Sequence, residues 1–153
     1  PIPWVYAEIA RALAEHERVN ILVHDEKTEE EAWHCLRMHE VKQGRIHLMQ
    51  CPTDRVWLRD SAPTFVHDAN GDVLAVNWAF NAWAKYDNYH RDAEIGRFIT
   101  DHTGLPLIEP QRHDGKGRVV LEGGGIETDG RGTMLVTEEW LLSDVQVRNP
   151  GMT

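Results

Sequence analysis

The sequence predicts an α/β fold built from mixed strand and helix units. The first third of the chain alternates segments of helical periodicity with short apolar runs, and the remainder contains two hairpin patterns separated by a helix. The chain has 153 residues, the length of one ordinary domain, and 41% of them are hydrophobic, which is enough for a core. We therefore expect a single domain over residues 1–153.

Two helices and two strands are predicted in the first third. The apolar runs at residues 19–23 and 46–51 are typical of buried strands. A first helix covers residues 4–17 and carries one apolar face, formed by Val5, Ile9, Ala12 and Leu13. A second helix opens at the capping box Thr28–Glu31, and its apolar face comprises Ala32, Cys35, Leu36 and His39.

Two turn signals predict β-hairpins in the rest of the chain. The turns are Asp68–Gly71, where the Asn-Gly pair favours positive φ angles, and Asp129–Gly132. The strands that flank them are predicted at residues 64–67 and 73–78, and at residues 126–128 and 133–137. A helix lies between the hairpins and ends at Gly104; its residues in phase are Ile95, Phe98, Ile99 and His102. Polar residues 110–118 predict a loop that is mobile.

Composition excludes several classes of function. The formal net charge of −9 repels phosphate backbones and anionic lipids, so we expect no nucleic-acid partner and no membrane partner. Two cysteines without a framework spacing favour a reducing compartment, and with no signal-peptide pattern we expect a cytoplasmic protein. His34 and His39 are five residues apart rather than four, and nothing else completes a metal site, so we expect neither a metal nor a cofactor.

Three segments could carry chemistry. Residues 56–63 place Trp57 and Asp60 on a short connector between strands, although paired charges and a packing tryptophan would also explain them. Glu122 ends an apolar run and precedes three glycines, which allow a ligand to approach closely; a strand-ending acid beside a flexible turn is the alternative. Trp83 belongs to an aromatic cluster that could hold a cation or could simply pack in the core.

The two cysteines do not have the environment of a nucleophile. Cys35 lies in the apolar stripe of a helix, and Cys51 precedes Pro52 at the end of a strand. Neither position supplies the neighbouring base or helix N-terminus that lowers a thiol pKa. We therefore expect both to be packing residues.

The same three regions resemble the agmatine deiminase and bacterial-type peptidyl-arginine deiminase family. The matching segments, in the same order and at similar spacing, are VWLRDSAPTFV at 56–66, VNWAFNAWAKY at 76–86 and VLEGGGIETDGRGTMLVTEEWLL at 120–142. Arg148-Asn149-Pro150 also fits. The resemblance covers residues 53–150, whereas before Thr53 it rests on the alternation of elements.

The resemblance implies a guanidine-modifying enzyme with the pentein fold, an α/β propeller of which this chain would be an incomplete, N-terminal portion. It implies that Asp60 binds guanidinium nitrogens, that Glu122 does so as a catalytic residue, and that Trp57 and Trp83 line the substrate site. A pair of carboxylates can hold the flat fork of a guanidinium by charge-assisted hydrogen bonds and align its central carbon for attack.

The family's cysteine nucleophile and its catalytic histidine have no match in this chain. The resemblance implies that both lie in the C-terminal part of the same protein, so that this chain alone is inactive. The partners implied are therefore a small guanidinium substrate and that remaining part. We also expect a homo-oligomer, because an open propeller exposes strand edges.

Three departures from the family's usual motifs concern the pocket. Ser61-Ala62-Pro63 replaces Thr-Gly-Pro, Ala84-Lys85 replaces the glycines after Trp83, and Glu127 stands near the usual histidine position. We expect Ala84 and Glu127 to border the pocket. The tryptophan-rich segment favours agmatine, the precursor in a route to putrescine and other polyamines, over peptidyl arginine. A non-catalytic module that binds cationic amines is the alternative function.

Overall fold

The computed structural model describes residues 2–152 and divides the chain into two compact units. The first unit extends to Thr53, and the second begins at Asp54. The single domain expected over 1–153 stays a prediction, and the two units are described separately below.

The first unit has the order helix, strand, helix, strand. Helix α1 is Pro3–Leu13, strand β1 is Val19–Val23, helix α2 is Glu26–Met38 and strand β2 is Ile46–Gln50. The two strands pair in parallel, with Val19 opposite Ile46 and Val23 opposite Gln50. The predicted alternation of this region is confirmed, because a parallel pair needs a crossover connection and α2 provides it.

Helix α1 buries a different face from the apolar one that its sequence indicates. The buried side chains are those of Ala7, Ala10 and Ala14, and they belong to the core formed with Leu36 and Leu48. Ile9 and Leu13, on the apolar face that the sequence indicates, are 50% and 40% exposed. Small side chains allow the two helix backbones to come closer together, and α1 packs against α2. The helix also ends four residues earlier than predicted, at Leu13.

Helix α2 begins two residues before the predicted capping box. Its N-cap is Asp25, whose Oδ1 accepts hydrogen bonds from the backbone N–H and the hydroxyl of Thr28, at 2.8 and 2.7 Å. These bonds, led by that from the hydroxyl, hold the pKa of Asp25 below its ordinary value. Thr28 is therefore the third residue of the helix rather than its cap. The predicted inner face is confirmed in that Leu36 is buried and Cys35 is half-buried.

Between residues 54 and 152 the second unit contains three α-helices and five strands. Its helices are α3 (Leu58–Ser61), α4 (Asp92–Thr103) and α5 (Glu138–Leu142). Its strands are β3 (Thr64–His67), β4 (Val73–Val76), β5 (Leu107–Ile108), β6 (Ile126–Thr128) and β7 (Met134–Val136). Strands β3, β4 and β5 form one sheet, and β6 and β7 form another.

Both predicted hairpins are confirmed. Strands β3 and β4 pair antiparallel around a turn in which the Asp68 carboxylate accepts from the backbone N–H of Asn70 and Asp72. Strands β6 and β7 pair antiparallel, with Ile126 opposite Val136. Strand β4 ends at Val76, two residues earlier than predicted. Beyond it, Ala79 instead forms a bridge with Val120, which brings the aromatic segment beside the run that ends in Glu122.

Helix α4 and the loop after it lie where the sequence places them. Ile95 is fully buried on the inner face of the helix, and Gly104 ends the helix in the left-handed conformation, with φ of 67°. The loop at residues 110–118 is closed by a bridge between Gln111 and Arg118. Its predicted mobility stays a prediction.

The described strands form sheets of two, three and two strands, and the structure is a mixed helix and strand fold. A closed ring of units is not seen among residues 2–152, so the propeller stays a prediction. The longest helix there has 13 residues, and none is long and apolar enough to cross a membrane.

Candidate functional site

One cavity in the second unit brings together residues from all three of the segments singled out in the sequence. Its volume is about 310 Å³. The lining residues are Asp60, Trp83, Glu122, Gly124, Gly125, Thr137, Glu139, Trp140, Gln146 and Arg148. The predicted site residues Asp60, Trp83 and Glu122 therefore share one cavity, although they are up to 62 positions apart in the sequence.

Asp60 projects from the short helix α3, and both of its oxygens are oriented by hydrogen bonds. Oδ1 accepts from the backbone N–H of Gly124 at 3.0 Å, and Oδ2 accepts from Trp83 Nε1 at 3.2 Å. A Cβ at position 124 would lie 2.2 Å from Oδ1, so only glycine allows the backbone to donate this bond. The bond from Gly124 to Asp60 therefore gives the glycine triplet at 123–125 a function in the site.

Trp83 is held in a strained turn. Ala82, Trp83 and Ala84 have φ values of 50°, 63° and 56°, a left-handed conformation that costs roughly 1–2 kcal/mol per residue outside glycine. Asn81 stabilises the turn, since its side-chain oxygen accepts from the N–H of Ala84 at 3.0 Å. Strain of this kind persists only where the surroundings impose it, and it clusters at functional sites.

Aromatic and cationic neighbours fix the Trp83 ring. Phe80 and Tyr86 meet it edge to face, with ring centroids 5.5 and 6.1 Å away. The Arg55 guanidinium lies 5.6 Å from the centre of the Trp83 ring and 4.9 Å from that of Tyr86. Arg55 is itself anchored by hydrogen bonds to the carbonyl and side-chain oxygens of Asn88. The indole N–H is thus held where it can donate to Asp60.

Glu122 is 2% exposed and its charge is matched within the second unit. Arg148 Nε donates to Oε1 at 2.8 Å and to Oε2 at 3.1 Å, and Trp140 Nε1 donates to Oε2 at 2.5 Å. Burying a lone carboxylate is costly, and the ion pair with Arg148 together with the bond from Trp140 offsets part of that cost. The burial of Glu122 at the end of an apolar run is explained by these two partners.

The two carboxylates differ in the hydrogen-bonding capacity that they retain. Each ionised carboxylate offers about four acceptor positions. Among bonds within the described residues, Asp60 uses one position on each oxygen, whereas Glu122 uses one on Oε1 and two on Oε2. Asp60 can therefore receive two parallel N–H groups, and Glu122 can receive one.

Trp57 is largely exposed and lies outside the lining of the cavity. It precedes α3, and its side chain is 60% exposed. Its carbonyl accepts a hydrogen bond from the backbone N–H of Asp60 at 3.1 Å, but this bond does not bring the side chain into the cavity, and its substrate-binding role stays a prediction.

Ala84 and Glu127 also lie outside the lining of the cavity. Ala84 is exposed beside Trp83, and Glu127 pairs at 3.5 Å with Arg59 on the surface. Glu127 lines a neighbouring depression with Arg59 and Gly124 instead. Their expected position at the pocket border stays a prediction.

Sequence reasoning missed five lining residues from the last part of the chain, namely Thr137, Glu139, Trp140, Gln146 and Arg148. Trp140 and Arg148 lie in segments that resemble the family's motifs, but neither was predicted to be a site residue. One signal was available for Arg148, because a carboxylate that is buried at a strand end requires a cationic partner. The sequence contains several arginines, and only the fold selects among them.

Neither cysteine lines the cavity, and both belong to the first unit. Cys51 is buried, and burial raises the pKa of its thiol, which disfavours the thiolate. Across residues 2–152 no group of three histidine, cysteine, aspartate or glutamate side chains is arranged to hold a metal ion.

Comparison with known proteins agrees with the resemblance inferred from the sequence. The model of the Porphyromonas-type peptidyl-arginine deiminase family matches residues 1–153. Agmatine deiminases of Ectopseudomonas mendocina and Stutzerimonas stutzeri are each 34% identical to the chain over its whole length. The solved agmatine deiminase of Enterococcus faecalis is 27% identical, covers 97% of this chain and superimposes with a TM-score of 0.77.

The chain spans only part of these relatives. It covers 39% of the length of the two curated proteins and 38% of the solved one. Similarity extends through the region before Thr53, where the sequence alone gave only an alternation of elements. The chain belongs to the Porphyromonas-type peptidyl-arginine deiminase family.

Proposed function

We propose that this chain is the N-terminal part of a deiminase that hydrolyses the guanidinium group of agmatine to a ureido group and ammonia, giving N-carbamoylputrescine. The observation that supports this most directly is the convergence of Asp60, Trp83 and Glu122 on one cavity. Their arrangement suits a flat cation with several N–H donors. The agmatine deiminases among the relatives favour the same substrate.

In the proposed complex the substrate guanidinium donates two parallel bonds to Asp60 and a third bond to Glu122. The ring of Trp83 adds an aromatic surface for the cation. Held in this way, the guanidinium has three of its five in-plane N–H groups bound to acceptors, and its central carbon is open to attack from above or below the plane. Fixing that geometry converts a bimolecular encounter into an oriented reaction.

The chemical steps require groups from the remainder of the protein. A cysteine thiolate attacks the guanidinium carbon, and a histidine gives a proton to the nitrogen that leaves as ammonia. Water then adds to the same carbon, the carbon–sulfur bond breaks and the ureido product leaves. This chain contributes binding and orientation, so it is inactive alone.

Several properties of the whole protein belong to the same proposal. The chain forms one domain that is part of a pentein propeller, Trp57 lines the substrate site, and the protein is a cytoplasmic homo-oligomer that acts in polyamine synthesis. No nucleic acid or membrane takes part. Peptidyl arginine is the alternative substrate. It is the second choice because the curated relatives described above are agmatine deiminases.

Turnover by the full-length protein tests the proposal. The parent should release ammonia and N-carbamoylputrescine from agmatine, whereas Asp60→Asn and Glu122→Gln should lose transition-state stabilisation on the order of 3–5 kcal/mol, as for a buried charge that loses its partner. Asp101→Asn, on an exposed position of α4, is the matched control and should retain activity. Turnover that survives both site substitutions would remove the assignment.

A module that binds cationic amines without converting them is the second candidate. It is favoured by a cavity that contains carboxylates and aromatic rings but, among residues 2–152, no thiol. Calorimetry of the 153-residue chain with agmatine separates the two. The module is supported if the isolated chain binds agmatine with micromolar affinity and the full-length protein does not convert it. The enzyme is supported if the isolated chain shows no binding and the full-length protein converts agmatine.

A further inference from the structure

The segment that follows α5 is bound to the strand-like run that carries Glu122. The side-chain amide of Asn149 pairs with both backbone groups of Val120, since Oδ1 accepts from the Val120 N–H and Nδ2 donates to the Val120 carbonyl, each at 2.8 Å. This pairing copies the pattern of a strand ladder with a side chain. It fixes the position of Arg148, the preceding residue, relative to Glu122.

Arg148 and Glu122 form a pair with little access to water. Their side chains are 7% and 2% exposed, and Arg148 Nε bonds both carboxylate oxygens. Another nitrogen of the guanidinium donates to the carbonyl of Gln146, so the cation is anchored in its own segment as well as on Glu122. A guanidinium held at several points determines the direction in which the carboxylate faces.

This pair divides the work between the two carboxylates. Because Arg148 already balances the charge of Glu122, the substrate's cation is balanced by Asp60, whose oxygens accept only from the neutral Gly124 N–H and Trp83 indole among the described residues. Arg148 and Trp140 leave one acceptor position on Oε1 of Glu122. A bond at that position is directional, and it depends on the orientation of the carboxylate.

We propose that Arg148 is a positioning residue for the reaction: it orients Glu122 so that one oxygen aligns the substrate guanidinium, while Asp60 supplies the charge that binds it. This inference rests on the proposed function. It gives a role to the segment Arg148-Asn149-Pro150, which has none in the substrate binding by Asp60, Trp83 and Glu122 proposed above. Substitution of Arg148 therefore affects kcat, and substitution of Asp60 affects KM.

The orientation of Glu122 can be measured without turnover. The indole N–H of Trp140 donates to Glu122 Oε2, so its NMR resonance in the 153-residue chain reports where that oxygen lies. The resonance is assigned by its loss in Trp140→Phe. Arg148→Met should displace it, and Arg148→Lys, which keeps the charge without the planar fork, should displace it less. Arg11→Met, which removes the exposed pair of Arg11 with Glu8, is the control and should leave it in place.

Kinetics of the full-length protein with agmatine provide the second measurement. Arg148→Lys should lower kcat about tenfold and Arg148→Met about a hundredfold, with KM changed less than about threefold in both, whereas Asp60→Asn raises KM. An unmoved indole resonance in a folded Arg148→Met or Arg148→Lys variant overturns the proposal, and so does a rise in KM at constant kcat. If Arg148→Met fails to fold, Arg148→Lys decides. If the unsubstituted full-length protein does not convert agmatine, the proposed function is refuted. The indole resonance of the Arg148 variants still tests whether Arg148 positions Glu122.

Discussion

Three successive residues beside the cavity adopt the left-handed conformation although none of them is glycine. Ala82, Trp83 and Ala84 follow Asn81, whose side chain caps the turn, and Trp83 donates to Asp60 from this position. The motif that the chain resembles has glycine after the tryptophan, where this chain has Ala84. The Ala84 methyl group therefore causes steric strain at this left-handed position. The hydrogen bond to Asn81 is made by the backbone N–H of Ala84 and does not require the methyl group.

Replacing Ala84 with glycine should stabilise the protein. The substitution relieves the steric cost at φ of 56°, which exceeds the entropy that glycine adds to the unfolded chain, and the free energy of unfolding should rise by about 0.5–1 kcal/mol. Urea unfolding of the 153-residue chain measures it. Ala93→Gly, within α4, is the matched control and should lower the same quantity by about 1 kcal/mol. A loss of stability in both variants would show that the turn is not left-handed.

The residues of the site could be predicted from sequence only in part. Asp60, Trp83 and Glu122 were found because carboxylates and aromatic rings stood beside strand ends and glycines, and the family resemblance ranked them. Trp140 and Arg148 were not found, because their role depends on a contact with Glu122 across 18 and 26 positions. Local patterns contain no information about which of several arginines reaches a buried acid.

At the scale of elements, local signals predicted strands and turns better than they predicted helix faces. Strand β1 has the predicted bounds, and both hairpins follow their turn residues. Helix α1 buries alanines instead of its larger apolar side chains, because the closeness of a neighbouring helix, rather than hydrophobicity alone, selects the buried face. The two-residue strand β5 was missed, since so short a pairing has no periodicity of its own.

The N-cap of α2 offers a test at this scale. Asp25→Ala should lower the thermal midpoint of the 153-residue chain by a few degrees, because two donors of Thr28 lose their acceptor. Asp25→Ser retains a capping oxygen and should remain close to the parent. Thr28→Ala should leave a smaller effect, since the backbone N–H still donates to Asp25; equal losses in Asp25→Ala and Asp25→Ser would contradict the assignment of the cap.

The same variant has a pH dependence of known sign. The folded-state pKa of Asp25 is lowered by the hydrogen bonds from Thr28, so its stabilisation is fully present above the unfolded pKa of about 3.9 and is lost as the pH falls through the folded value. The difference in midpoint between the parent and Asp25→Ala should therefore be constant near neutral pH and shrink below about pH 4.

For the whole molecule, the second hairpin predicts self-association. Strand β7 pairs only with β6 in the described sheets, and its residues Met134, Leu135 and Val136 are 56%, 67% and 43% exposed. A two-stranded sheet with an open apolar edge recruits further strands. Light scattering after size exclusion should give a mass above the 17.5 kDa of one chain.

A lysine at position 135 should oppose this association. Leu135→Lys places a charge on the open strand and should shift the mass towards that of one chain, whereas Gln43→Lys introduces the same charge at an exposed position of the first unit and should not. A parent that remains a single chain in dilute solution contradicts the prediction.

The bonds of Arg148 and Asn149 to Glu122 and Val120 set an order of events during protein synthesis. Val120 precedes Asn149 by 29 positions, and Glu122 precedes Arg148 by 26. While the ribosome is still adding the intervening residues, Glu122 lacks Arg148, the cation that pairs with it in the folded structure, and its carboxylate stays hydrated. The cavity can therefore take its final shape only after the codon for Asn149 has been translated.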